Sequence, residues 1–129
     1  MANLVLIVED RPMHAKLFSE MLRGSGHASI IALTGREGIA TARSIKPSLI
    51  IIDILLSDLD GRKVIESLRS GLETEDTPIL AISAVSDYQM QKDCIAKGAD
   101  EFLAKPVGLE QFRTTVDKLL RVYVERVSR

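Results

Sequence analysis

Apolar and polar positions along the chain alternate between two periods. Short, nearly unbroken apolar runs fall at 4–8, 28–33, 49–52, 78–82 and 101–104. Runs of this length bounded by turn residues predict buried strands. The run at 49–52, Leu-Ile-Ile-Ile, is almost entirely β-branched and predicts a central strand covered on both faces. The run at 101–104 is more polar and predicts a sheet edge.

Between the runs the spacing turns helical. Met13, Leu17, Met21 and Leu22 predict a first helix, with Pro12 in its first turn and Gly24 and Gly26 ending it. Thr34 and Glu37 form a capping-box pattern for a helix over 35–45, with Pro47 beyond its end. A third helix is predicted over 61–69, followed by a polar loop at 71–77. Ser86 and Gln89 predict the cap of a fourth helix that Gly98 ends. The last helix, 109–127, places Leu109, Phe112, Val116, Leu119, Leu120 and Tyr123 on one stripe. Five strand–helix units predict an α/β domain with a doubly wound parallel sheet, occupying residues 1–129 as a single unit.

Four strands end on a residue with chemistry. Asp10 follows LVLIVE, Asp53 follows LIII, Ser83 follows ILAI and Lys105 follows EFLA. In an open parallel sheet the carboxyl ends of the strands share one crevice, so these residues are expected to meet. Two carboxylates about 4 Å apart repel by roughly 4 kcal/mol at an effective dielectric of 20, so such a cluster needs counter-charge. Lys105 supplies one positive charge, and Mg²⁺ suits an oxygen-only site with few protein ligands. An ionised Asp beside it can attack a phosphoryl group, with the lysine and the Ser83 hydroxyl neutralising its oxygens.

Composition narrows the alternatives. The chain has 129 residues, 46% hydrophobic and 27% charged, which is enough for one continuous core. The net charge of −1, with Lys and Arg dispersed, argues against a nucleic-acid footprint. Arg121, Arg126 and Arg129 near the end are offset by Glu125 and read as a solvated helix face. The opening MANLVLIVED has no basic leader and its apolar run stops at Glu9, so neither signal peptide nor membrane span is expected. The single cysteine, Cys94, excludes an internal disulfide and a Cys-rich zinc site. A cytoplasmic protein is the expectation.

Taken together, VLIVED at 5–10, Asp53 followed eight residues later by Gly61, Ser83-Ala84 and Lys105-Pro106 make the chain resemble a two-component receiver domain. The resemblance runs over essentially the whole chain and implies a flavodoxin-like fold with strand order 2-1-3-4-5. It implies that Asp53 accepts phosphate from a histidine kinase or histidine phosphotransfer protein. Mg²⁺ would be held by Asp10, Asp53 and the Leu55 carbonyl, with Glu9 assisting through water. Lys105 would pair with the phosphoryl group ahead of a cis Lys105–Pro106 peptide. Ser83 and Ala84 would close on the phosphate and Phe102 would rotate inward. The fourth helix, fifth strand and fifth helix would then present a changed face to a downstream protein, with a phosphorylation-dependent homodimer left open. The domain would catalyse only its own phosphorylation and dephosphorylation. Leu56 and Ser57 depart from the family's usual Met-Pro pair, and Phe102 stands where Tyr is common.

Three other readings compete. ILLSDLDGR is similar to the signature of haloacid-dehalogenase-type phosphatases, with Asp58 as nucleophile and Asp60 as acid/base. Against it, capping of the third helix is the expected role of both residues. A flavodoxin-like cofactor binder lacks a Gly-rich phosphate loop after the first strand. A phosphorylation-independent interaction module would not need the acceptor residues, all of which are present. His14 and His27 are isolated in the sequence and are expected to be structural or solvated.

Overall fold

A computed structural model describes residues 3–128. Ten elements alternate: β1 (Leu4–Val8), α1 (Pro12–Gly24), β2 (Ala28–Ala32), α2 (Gly35–Ile45), β3 (Leu49–Asp53), α3 (Gly61–Ser70), β4 (Ile79–Ser83), α4 (Tyr88–Lys97), β5 (Glu101–Ala104) and α5 (Leu109–Val127). The strands form one parallel sheet in the order β2-β1-β3-β4-β5. This is the doubly wound, flavodoxin-like arrangement, with chain order reversing between β1 and β3. Among the described residues no helix is long and apolar enough to cross a membrane.

Strand residues point alternately to the two faces, so the sheet divides the core in two. Val5, Ile7, Leu49, Ile51, Leu80 and Ile82 face α1 and α5. Leu6, Val8, Ile50, Ile52, Ile79 and Ala81 face α2, α3 and α4. Both faces of β1, β3 and β4 are thereby buried, which accounts for their unbroken apolar composition.

Two helices differ from the expected pattern. In α1 the buried stripe is Ala15, Phe18 and Leu22, while Met13 is 84% and Leu17 53% exposed. Phe18 stacks on Phe112 of α5 with ring centroids 5.5 Å apart. Seating this large ring turns the Met13–Leu17 row away from the sheet. In α5, Phe112, Val116, Leu119 and Leu120 are buried, but Leu109 lies in the exposed first turn and Tyr123 is half-buried.

Caps fix where the helices start. The Thr34 hydroxyl accepts the Glu37 N–H at 3.0 Å, as the capping-box pattern predicts. The cap of α4 is Asp87, one residue beyond the expected Ser86, and its carboxylate accepts the Met90 N–H at 2.9 Å. Gln89 turns instead to Asp93 at 2.6 Å. Of the basic residues near the chain's end, Arg126 is engaged by Asp100 at 2.5 Å, and Arg129 lies outside the described residues.

Candidate phosphoacceptor site

The carboxyl ends of β1, β3, β4 and β5 open at one edge of the sheet, where β1 delivers two polar groups and each of the others one. Asp53 is the last residue of β3 and is 5% exposed. Glu9 follows β1 and is 1% exposed, with the more accessible Asp10 after it. Oxygens from Glu9, Asp10 and Asp53 all lie within 4.8 Å of one another. Lys105, just past β5, extends its Nζ to 2.6 Å from Glu9 Oε1 and 3.4 Å from Asp53 Oδ2. Ser83 ends β4, fully buried, and its Oγ accepts the Val85 N–H at 3.1 Å. The sequence-predicted Glu9, Asp10, Asp53 and Lys105 are therefore brought together, with Ser83 at the adjoining strand end.

Local geometry sets the remaining expected positions. The Leu55 N–H donates to Asp53 Oδ1 at 3.2 Å, folding the start of the β3–α3 loop back over the acid. Ala84 and Leu55 line the same cleft as Asp53. The Lys105–Pro106 peptide is cis. Phe102 lies on β5, half-buried against the core beneath α3 and α4.

Lys105 pairs with Glu9 and Asp53 while Asp10 is held by Ser57, so the cluster of three carboxylates is electrostatically unbalanced. Burial pushes the Glu9 carboxyl above its usual range, and the neighbouring Asp53 adds to the rise. The Lys105 ammonium opposes both. The donors are all oxygens, which matches a hard divalent cation such as Mg²⁺.

Two contacts had no signal in the sequence pattern. Ser57, from the β3–α3 loop, donates both its N–H (2.9 Å) and its hydroxyl to Asp10 Oδ2. His14, expected to be isolated, places Nδ1 3.1 Å from Lys105 Nζ and 3.7 Å from Glu9 Oε1. Its only trace is position: it lies in the first turn of α1, four residues after Asp10.

The Asp58/Asp60 pair belongs elsewhere. β3 stops at Asp53, so both residues sit in the following loop, outside the Glu9–Asp10–Asp53 cluster. Asp60 caps α3 as expected, accepting the Arg62 N–H at 2.9 Å, and it pairs with the Arg62 side chain. Asp58 does not cap α3. It receives the Gly35 and Arg36 N–H groups at 2.8 and 3.0 Å, at the start of α2. The compact β3–α3 turn carries Asp58 across to that neighbouring helix. With both aspartates in capping roles, the phosphatase reading fails.

The Gly35 N–H above all, with that of Arg36, holds the Asp58 carboxyl below the usual carboxylate range. A lowered folded value means the stabilisation is complete above the ordinary carboxylate pKa. It is lost as pH falls through the folded value. Asp58→Ala is expected to melt below the parent at neutral pH, with the two melting curves converging in acid. A gap that persisted unchanged into acid would attribute the loss to packing instead.

Cys94 is fully buried, and desolvation raises its thiol to about 11, consistent with a packing role.

Comparison with known proteins agrees with this geometry. The family model described as the response regulator receiver domain matches residues 5–117. The chain is 34% identical over 117 residues to the DNA-binding dual master transcriptional regulator RpaA of Synechocystis, covering 91% of this chain and 48% of that protein. It is 29% identical over 120 residues to the polar-differentiation response regulator DivK of Brucella ovis, covering 93% of this chain and 98% of DivK. The chain thus spans about half the length of the first relative and nearly all of the second. Among solved structures, the receiver domain of a sensor histidine kinase from Pseudomonas aeruginosa, with magnesium in its active-site cleft, superposes with a TM-score of 0.87. That match is at 23% identity over 94% of this chain and 99% of that one, a likeness of fold. From the strand order, the clustered acids and the match over 5–117, the chain belongs to the response regulator receiver domain family.

Proposed function

We propose that this domain is a Mg²⁺-dependent phosphoacceptor in a two-component phosphorelay, with Asp53 as the residue phosphorylated. The observation that carries the reading is the buried Asp53 carboxylate, within 4.8 Å of two further acids and 3.4 Å from Lys105 Nζ. Asp53 attacks the phosphorus of a phosphohistidine on a histidine kinase or phosphotransfer protein. The phosphorus–nitrogen bond breaks and the imidazole leaves with its electron pair. Asp10, Asp53 and the Leu55 carbonyl would hold Mg²⁺, with Glu9 in support; when bound, the ion neutralises charge on the phosphoryl oxygens. Lys105 exchanges its carboxylate partners for the phosphate. Ser83 releases the Val85 N–H and donates its hydroxyl to the phosphoryl group beside Ala84. Phe102 then repacks inward, altering the α4–β5–α5 face offered to a downstream protein. In this role the domain spans residues 1–129, works in the cytoplasm and catalyses only its own phosphorylation and dephosphorylation.

Intact mass after incubation with acetyl phosphate and Mg²⁺ tests the reading. Gain of one phosphoryl group supports it, and retention of the parent mass overturns it.

Metal binding has its own expected result. Because a cation relieves repulsion in the folded cluster alone, Mg²⁺ at a hundred times its dissociation constant should stabilise the chain by about 2.7 kcal/mol. That corresponds to a melting shift of roughly 10 °C for a domain of this size. Asp10→Asn should lose most of the shift. An equal shift in parent and variant would place the ion elsewhere.

A further inference from the structure

The Lys105 ammonium has three N–H donors to place, and its side chain is only 14% exposed, so each needs an acceptor from the protein. Two acceptors are carboxylates: Glu9 Oε1 at 2.6 Å and, more loosely, Asp53 Oδ2 at 3.4 Å. The third is His14 Nδ1 at 3.1 Å. An ammonium only donates, so Nδ1 accepts and the ring proton sits on Nε2. Nδ1 lies 3.7 Å from Glu9 Oε1, beyond hydrogen-bond reach, so His14 holds the lysine and not the acid. Glu9 is secured separately, by the Arg11 N–H to its Oε2 at 3.2 Å. The start of α1 therefore grips both members of the ion pair, through different groups.

We propose that His14 is a positioning residue for Lys105, its Nδ1 holding the ammonium beside Glu9 and off Asp53 so that the Asp53 carboxylate stays free to attack phosphorus. The inference rests on the phosphoacceptor role proposed for Asp53 and adds a residue to it. His14 is the one neutral acceptor of the three, so it fixes Nζ without cancelling its charge. The loosest of the three bonds is the one to Asp53, and its N–H is the one that turns to the incoming phosphoryl group. His14 keeps its own N–H through that exchange. Without Nδ1, the ammonium has only the two carboxylates to share its donors between. It then closes on Asp53 Oδ2, and the tighter ion pair blunts the nucleophile.

The test compares the parent with His14→Leu and His14→Asn, timing the labelling of each intact chain by acetyl phosphate and Mg²⁺ by mass. His14→Leu should label about tenfold more slowly, the cost of misplacing a group that must meet the transferring phosphoryl. In His14→Asn the side-chain carbonyl oxygen stands in for Nδ1, and the rate should return to near the parent's. The imidazole is 42% exposed, so all three chains should melt together. A second readout needs neither donor nor metal. Nitrogen NMR of the metal-free chain should show a slowly exchanging Lys105 ammonium signal, identified by its absence from Lys105→Met. That signal should vanish in His14→Leu and reappear in His14→Asn. Labelling of His14→Leu at the parent rate overturns the inference, as does His14→Asn remaining as slow as His14→Leu. An ammonium signal unchanged in His14→Leu overturns it too. These results, with the parent labelled, leave the phosphoacceptor reading standing; a parent that takes no phosphoryl group overturns that reading itself.

Discussion

Asp53→Asn is expected to remain at its unmodified mass in acetyl phosphate and Mg²⁺ under conditions that label the parent to completion. The carboxamide keeps the shape of the side chain and its place at the end of β3, but it is neutral and a poor nucleophile. Loss of labelling with retained fold therefore isolates the chemistry. Asp58→Asn is the matched control, because Asp58 is committed to the Gly35 and Arg36 N–H groups and lies outside the acidic cluster. It should label as the parent does. Lys105→Met should label about a hundredfold more slowly, in line with the loss of one preorganised charge from a developing anion. Loss of labelling in Asp58→Asn with persistence in Asp53→Asn would reverse the assignment and restore the phosphatase-like reading.

The second large effect concerns Gly61, at the first position of α3. A β-carbon there would meet Ile54 Cα at 2.5 Å and the Asp53 and Ile54 carbonyl oxygens at 2.9 Å each. All three are backbone atoms at the end of β3, so no side-chain rotation can relieve the clash. The Gly61 N–H also donates to the Ile54 carbonyl at 2.9 Å, which pins the helix start against the strand end. Gly61→Ala should cost about 3 kcal/mol, the upper part of the range for overpacking a closed site. The melting temperature should fall by roughly 10 °C. Gly24→Ala provides the contrast: at the end of α1 the added methyl meets only an Arg113 nitrogen at 3.7 Å. There alanine should be neutral or stabilising by up to about 1 kcal/mol. Similar melting temperatures for the two variants would show that the β3–α3 junction can open without penalty. The same junction holds Asp53 and Leu55, so Gly61→Ala should also weaken Mg²⁺ binding.

Much of this fold is legible in one dimension. The strands appear as apolar runs because β1, β3 and β4 are covered on both faces, and their ends appear as the first polar residue after each run. Glu9, Asp10, Asp53 and Lys105 are legible as one strand-end cluster for that reason, with Ser83 at the adjoining strand end. Caps are legible only to within a residue. Thr34 caps α2 as its pattern predicts, but α4 is capped by Asp87 and not Ser86, because two adjacent residues can both accept an N–H and helix register chooses between them. The helical spacing of Met13, Leu17, Met21 and Leu22 marks α1 but allows several rotations, and the Phe18–Phe112 stack selects one that leaves Met13 and Leu17 exposed.

Contacts between distant segments were not legible. Asp58 crosses to the start of α2, Ser57 reaches Asp10 across 47 positions, and His14 meets Lys105 across 91. Arg69 joins the Gly98, Glu75 and Thr77 carbonyls with Asp100, a tie that its place in α3 gave no reason to expect.

By itself the sequence determined the elements, their alternation and which polar groups end the strands, because hydrophobic period and chain stops act over a few residues. The tertiary structure decided how the strands lie side by side, which acids cluster at their ends, and which loop groups steady them. Those depend on packing two cores against a shared sheet, an arrangement that brings together atoms no local pattern connects.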